Sequence, residues 1–526
     1  MYAINKNRRN RTIRIKSIYL ENFKNVKKGE IICECGRRFV EHGTEPDIVG
    51  LYGQNGSGKT SVIQALSLLK EAVSGLSLPD YFSMFINEGA PYAFLCFTFD
   101  LQYSDNRKRE VIYSFKLKRK NKDVSNRILA YNGAFFDAIE NLVNSNIGVG
   151  IYDECIQMSG DFYDKKIKKQ VIIDTTMSDN NFPFGPASKR PFFLSNENKN
   201  ILNANKISSE KNRSSFIFEN DTMMAFSEMN SEYFDVLEDI IFYVSKQLYI
   251  ISTTDYGMIQ GSKVLPLYTY RKTIANLNYE LINDALSEDV RISKEDWSKI
   301  SNDSNIMNDL IDAIPINYPL LFPLNSSMSI NEMDFPILER EIEGISTVLK
   351  SILPGTEIFL KKGNETIDSD GQKCFYSELR VINNGKEMPL MYESDGTLKI
   401  ISMLNAIIMA YNDKSVTVAI DELDSGVFEY LLGEILQVFE EGGRGQLFFT
   451  SHNLRPLEVL NKKYLYFTTT DENNRYVHLK NIGKTNNLRN VYFREILEMD
   501  GDDIKLYAGT QKYKIAAAFR KAGSSE

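Results

Sequence analysis

A chain of 526 residues has room for roughly three or four domains of ordinary size, and with 43% of its residues apolar it can bury more than one sizeable core. Lysine and arginine number 62 against 70 aspartate and glutamate, a net charge of −8, so any contact with nucleic acid must be local and not a property of the whole molecule. No apolar run approaches the roughly 18 residues of a membrane-spanning helix, and the basic segment MYAINKNRRNRTIRIKSIYL lacks the apolar core of a secretory leader.

Five cysteines, Cys33, Cys35, Cys96, Cys155 and Cys374, are few and odd in number for this length, which suits a reducing cytoplasm. Cys33 and Cys35 with His42 offer three metal donors. Structural zinc needs four, and no second cysteine pair follows.

Alternating apolar positions over residues 12–32 (Ile13, Ile15, Ile18, Leu20, Val26, Ile31) predict two strands joined by a turn. Ile48 to Tyr52 is a short buried strand ending at Gly53, and Val62, Ile63, Leu66 and Leu69 carry helical spacing over residues 61–73. Residues 94–101 and 111–117 read as further strands. Arg107 to Arg109 and Lys116 to Lys122 concentrate eight basic residues on that hairpin, either a phosphate-facing surface or a solvated one. From about 120 to 340 the pattern breaks into short amphipathic stretches, read as a mainly helical insertion with a mobile polar loop around residues 195–215. Strands resume at 357–360 and 376–382, a helix is expected over 397–411, and 416–420 and 446–450 are apolar runs of the buried parallel type flanking a helix over 427–440. The expected class is α/β: two halves of one nucleotide-binding domain, residues 1–119 and 341–470, with a mixed β subdomain and a parallel core sheet. The insertion 120–340 and an extension 471–526 complete the chain.

Gly53-Gln54-Asn55-Gly56-Ser57-Gly58-Lys59-Thr60 fits G-x-x-x-x-G-K-[ST] at every fixed position, between a predicted strand and a predicted helix. Glycines free the loop amides to meet phosphate oxygens, Lys59 reaches the outer phosphates, and Thr60, followed by Ser61 on the helix, supplies a hydroxyl to Mg²⁺. Val416 to Ile420 delivers Asp421 and Glu422 at the carboxyl end of a strand, the edge where open α/β sheets bind ligands: Asp421 for Mg²⁺, Glu422 for the attacking water. His452, one of only three histidines, closes the next strand within reach of a γ-phosphate.

The order phosphate loop, long insertion, Ser394-Asp395-Gly396-Thr397, Asp421-Glu422, Leu423-Asp424-Ser425 and Ser451-His452 resembles the ABC-type ATPase heads of the RecF, SMC and OLD group. That group includes AAA-family ATPase subunits of bacterial anti-phage systems such as Septu and PARIS. The likeness spans about residues 12–120 and 340–470. It implies ATP and Mg²⁺ as ligands and ATP hydrolysis as the activity. It also implies a homodimer in which Ser394, Asp395, Gly396 and Thr397 act as the signature loop on the opposite subunit's nucleotide. Asp395 replaces the first glycine of the transporter form, which disfavours a transporter. Asp424 and Ser425 stand where the group has its D-loop, and Lys24, within Phe23-Lys24-Asn25, is either a nucleotide contact or a surface lysine. The glutamine of the Q-loop has two candidates, Gln102 and Gln157.

Fused nuclease centres are disfavoured. Asp500, Asp502 and Asp503 mimic a Toprim DxD but follow a helical stretch, and the only R-x4-H pair, Arg37 to His42, lies in a strand-rich region. The expected role is an ATP-driven switch for a separate nuclease or toxin. The competing expectation is a DNA-repair or chromosome ATPase that binds DNA through Lys6, Arg8, Arg9, Arg11, Arg14 and Lys16 and through the basic hairpin.

Overall fold

The computed structural model describes residues 11–34, 45–121, 147–252 apart from 180, 196 and 230, then 258–260, 321–323, 327–332, 335–367, 373–479, 488–497 and 512–523. Two six-stranded sheets carry the architecture.

β1 (Arg11–Phe23) and β2 (Val26–Ile32) pair antiparallel across a turn at Lys24 and Asn25. Buried positions in β1 switch from Ile13 and Ile15 to Ile18 and Leu20 because its pairing slips between Ile15 and Ser17, and one extra residue turns every later side chain over. β3 (Asp47–Tyr52) leaves this sheet and enters the second one, followed by α1 (Lys59–Val73). β4 (Ala93–Tyr103) and β5 (Lys108–Asn121) then return to the first.

That sheet does not end near residue 120, as the sequence pattern suggested. β6 (Ile147–Phe162) and β7 (Lys165–Asp174) extend it in the order β2-β1-β4-β5-β6-β7. The alternation of β7 is hidden because Lys165, Lys166, Lys168 and Lys169 fill exposed positions of an edge strand, where charge discourages further pairing. The polar stretch after residue 195 is likewise ordered. It forms α2 (Lys199–Asn212), whose buried face is Leu202, Asn205 and Ser209, two of them polar and therefore silent to a hydrophobic count. α3 (Asn220–Ser227) and α4 (Glu232–Lys246) lead into β8 (Leu248–Ile251). Over the described part of 120–340 the chain is thus as much strand as helix, and its first half belongs to the head.

β9 (Met258–Gln260) and β10 (Leu321–Pro323) pair with each other. β11 (Met328–Asn331), α5 (Phe335–Ile352), β12 (Thr356–Lys361), β13 (Glu365–Ile367), β14 (Lys373–Asn383) and β15 (Lys386–Pro389) form a small antiparallel sheet with one helix packed on it. α6 (Asp395–Asn412), β16 (Thr417–Ile420), α7 (Glu429–Gly442), β17 (Gln446–Thr450), β18 (Leu465–Thr468) and β19 (Tyr476–Val477) complete the core, and α8 (Leu488–Leu497) and α9 (Lys512–Gly523) follow.

The core sheet runs β19-β18-β3-β17-β16-β8, parallel from β18 to β8. Both faces are covered. Val49 and Leu51 face a core shared with α1 and the antiparallel sheet, while Ile48 and Tyr52 face one shared with α6 and α7, so these strands read as unbroken apolar runs. Their carboxyl ends open on a common edge, where the loops after β3, β16 and β17 meet. Among the described residues no helix is long and apolar enough to cross a membrane.

Candidate functional site

β3 ends at Tyr52 and α1 begins at Lys59, so the phosphate-loop motif occupies the turn between them. Gly53, Gly56 and Gly58 take φ values of 150°, 74° and 104°, conformations that side chains with a Cβ disfavour. Gly58 caps α1 without a side-chain bond, so the first amides of the helix receive no side-chain cap. Lys59 Nζ donates to the carbonyls of Gly53 at 2.8 Å and Gln54 at 3.0 Å. Burial lowers its pKa to about 8, although Asp421, Asp424 and Glu422 favour the charged form.

Residues 361 positions apart in sequence meet on the floor of the site. Thr60 Oγ1 donates to Asp421 Oδ1 at 3.1 Å, and Thr450 Oγ1 donates to the same oxygen at 2.6 Å. These are hard oxygen donors of the kind Mg²⁺ takes, so Thr60 and Asp421 would hold that ion. Glu422 holds φ at 49°, uncommon for a non-glycine residue. Its backbone is pinned on both sides: its amide donates to Thr450 Oγ1 at 2.7 Å, and its carbonyl accepts a hydrogen bond from Lys399 Nζ. Asp424 Oδ2 accepts from the amides of His452 at 3.0 Å and Asn453 at 2.8 Å, so this carboxylate sets the height of the histidine. Burial and the Lys59 ammonium hold the His452 pKa below its ordinary value, which favours the neutral imidazole.

Together Asn55, Gly56, Lys59 and Thr60 from the phosphate loop and Glu422, Asp424, Ser425 and His452 from the facing loops line an open cleft of about 380 Å³. Ser57 and Ser61 bond away from it, to Thr468 Oγ1 at 2.6 Å and Asn25 Oδ1 at 3.3 Å. Lys24 is not on the cleft wall. Its Nζ donates to Gln64 Oε1 at 2.7 Å and sits 5.0 Å from the Phe85 ring centroid, where burial lowers its pKa. The structure assembles an α/β P-loop nucleotide-binding architecture, with the phosphate loop, the strand-end carboxylates and the histidine on one cleft.

In this head the signature segment stands outside the cleft. Ser394 caps α6, its Oγ accepting from the Thr397 amide at 3.2 Å and lying 2.9 Å from Thr397 Oγ1, and Asp395 is exposed beside it. Gly396 abuts the D-loop so closely that a Cβ would come within 2.2 Å of the Gly426 carbonyl. Neither Q-loop candidate reaches the edge of the core sheet. Gln102 lies on β4, bonded to Asp100, and Gln157 on β6. The register of Ile251 with Ile420 instead places Ser252 next to Asp421.

Two site residues escape a motif search. Lys399 interrupts an otherwise apolar stretch of α6, and a lone buried charge of that kind signals a partner; burial lowers its pKa to about 8. Thr450 carries no motif at all. The described members of the basic clusters have partners within the chain. Arg11 pairs with Asp239 at 2.7 Å, Arg14 bonds the carbonyls of Lys414 and Arg444, and Lys16 pairs with Glu110. On the hairpin Arg107 pairs with Asp105 at 2.7 Å, Arg109 with Glu232, and Lys116 and Lys118 share Asp153 at 2.9 and 3.1 Å. Cys33 is buried, whereas Cys35, Arg37, His42, the arm with Lys6, Arg8 and Arg9, and Asp500, Asp502 and Asp503 lie outside the described residues.

A family model described as an AAA domain, putative AbiEii toxin, Type IV TA system, matches residues 228–458. No curated protein matches the chain. Similar solved structures include an SMC head bound to the C-terminal winged-helix domain of ScpA (13% identity, 88% of this chain and 97% of that one, TM-score 0.34). They also include the recombination mediator RecF with ATP (12%, 89% and 100%, TM-score 0.32) and the SMC head domain from Thermotoga maritima (11%, 89% and 100%, TM-score 0.32).

Proposed function

We propose that this protein binds and hydrolyses ATP and that two copies close around two nucleotides, turning ATP occupancy into a signal for a separate nuclease or toxin in anti-phage defence. The observation that carries the ATPase reading is the contact of Thr60 with Asp421, which unites a phosphate loop with a carboxylate strand end over a cleft bounded by Glu422 and His452. Mg²⁺, held by Thr60 and Asp421, would supply neutralisation of phosphate charge. Glu422, its backbone fixed by Thr450 and Lys399, accepts the proton of the attacking water. Neutral His452 hydrogen-bonds the outer phosphate, and Lys59 leaves the Gly53 and Gln54 carbonyls to meet phosphate oxygens.

Ser394 is exposed at the α6 cap and does not line the cis cleft, which supports its use across a dimer on the γ-phosphate. A contact made by Lys59 of one copy and Ser394 of the other stabilises only the closed state, and hydrolysis removes it. The toxin in the description of the matched family supports an effector-linked role. The DNA-repair reading would have to use a surface on which Arg11, Arg14, Lys16, Arg107, Arg109, Lys116 and Lys118 already have partners within the chain, Arg107, Lys116 and Lys118 while partly exposed.

The test is a tagged pull-down from the native gene neighbourhood with wild type and Glu422→Gln, read by intact-complex mass. An ATP-loaded dimer with a stoichiometric second protein is expected, more abundant in the variant. A homodimer carrying nucleic acid alone would replace the effector reading by the repair one, and undiminished hydrolysis by Glu422→Gln would overturn the catalytic assignment.

A further inference from the structure

A loop that turns its amides toward phosphate must turn many of its carbonyls the other way, and a carbonyl buried on the outer side needs a donor there. The structure supplies three. Thr468 Oγ1 donates to the buried Tyr52 carbonyl at 3.1 Å while accepting from Ser57 Oγ at 2.6 Å, Tyr476 Oη donates to the buried Gly58 carbonyl at 2.7 Å, and at the exposed rim Asn25 Nδ2 donates to the Gly56 carbonyl. None of the three donors lines the cleft. They come from two turns that are themselves tied together: Arg475 Nη2 donates to the Asn25 carbonyl at 3.0 Å, the Arg475 amide donates to the Lys28 carbonyl at 3.0 Å, and the Lys28 amide donates to the Glu472 carbonyl at 2.9 Å. The fit is close. A Cβ on Gly53 would lie 1.7 Å from Thr468 Oγ1, and one on Gly29 2.6 Å from the Tyr476 ring.

We propose that Asn25, Thr468 and Tyr476 are positioning residues for nucleotide binding: a clasp, built from the β1–β2 turn and the β18–β19 hairpin, that locks the peptide planes of the phosphate loop with their amides facing the cleft. Without a donor outside, a peptide is free to flip and present its carbonyl to the phosphates, which repels them. The penalty then falls on nucleotide binding more than on folding. Because the loop amides cradle the inner phosphates, the diphosphate and the triphosphate suffer alike. This inference rests on the nucleotide-binding reading above.

The experiment measures binding of ADP and of a non-hydrolysable ATP analogue to wild type, Thr468→Val, Tyr476→Phe and Thr468→Ser, with melting temperature recorded for each. Valine and phenylalanine keep the shape and remove the hydroxyl, whereas serine restores it. The expected result is affinity about tenfold weaker for both nucleotides in Thr468→Val and in Tyr476→Phe, about the worth of one buried hydrogen bond. The ratio of ADP to analogue affinity stays constant, melting temperature moves by only a few degrees, and Thr468→Ser recovers binding. Wild-type affinity in both hydroxyl-deleted variants would overturn the clasp while leaving the proposed function intact, and so would loss of the triphosphate alone. Failure of the wild-type chain to bind either nucleotide would overturn the proposed function itself.

Discussion

The phosphate-loop cleft and the signature segment are built in opposite ways. In the cleft Thr60 is already wired to Asp421, Glu422 to Thr450 and Lys399, and His452 through its amide to Asp424. The signature segment is exposed, and its serine bonds only within its own helix turn. One half of the site is prearranged inside a single chain, whereas the other is presented outward. On the proposed reading, that difference would assign nucleotide affinity to the monomer and closure to the pair.

Experiments can break that division. The largest expected effect is Lys59→Ala, which removes a buried cation from the cleft and weakens nucleotide binding by about 100-fold or more, as befits lost charged hydrogen bonds; calorimetric titration of the isolated chain reads it. Next is Glu422→Gln, expected to slow turnover by about 10² to 10⁴-fold, the range of a lost general base, with binding retained.

Ser394→Ala sharpens the comparison most directly. Monomer affinity should stay within about twofold, because Ser394 does not touch the cis cleft, while ATP-dependent dimers disappear in sedimentation. The lost cap costs the helix about 1 kcal/mol, too little to unfold the domain. A monomer defect as large as the dimer defect would abolish the distinction between the two regions.

The smallest effect is in pH. Free Lys59 has its pKa lowered to about 8 by burial, and phosphate raises it by stabilising the charged form. From pH 8 up toward the bound value the complex therefore holds more protons than the free chain, so binding takes up protons and affinity falls as pH rises. Titrations at pH 8.5 in two buffers of different ionisation enthalpy should report net uptake of up to about one proton, and net release would contradict the assignment.

Legibility followed the length scale of each interaction. The phosphate loop, the Asp421 and Glu422 strand end and the α6 cap are local patterns, readable because glycine φ, strand burial and helix capping depend on neighbours a few residues away. The extension of the antiparallel sheet by β7 was not readable, since its lysines point to water and mask the alternation. α2 was missed because Asn205 and Ser209 occupy its buried face. The basic hairpin misled in the opposite direction: charge counts see Arg107 and Arg109, but not Glu232, which comes from a helix 123 residues beyond Arg109 to pair with it.

By itself the sequence determined which chemistry this chain carries: a phosphate loop, two carboxylates after a buried strand, and a histidine after the next. Only the tertiary structure decided which oxygens converge, that Thr450 and Lys399 hold Glu422, that Lys24 stands aside, and that Asn25, Thr468 and Tyr476 grip the loop from behind. The physical reason is that backbone conformation is set by adjacent residues, whereas a hydrogen bond such as Thr468 to Ser57 joins residues 411 positions apart, and sequence spacing holds no record of it until the sheets have packed.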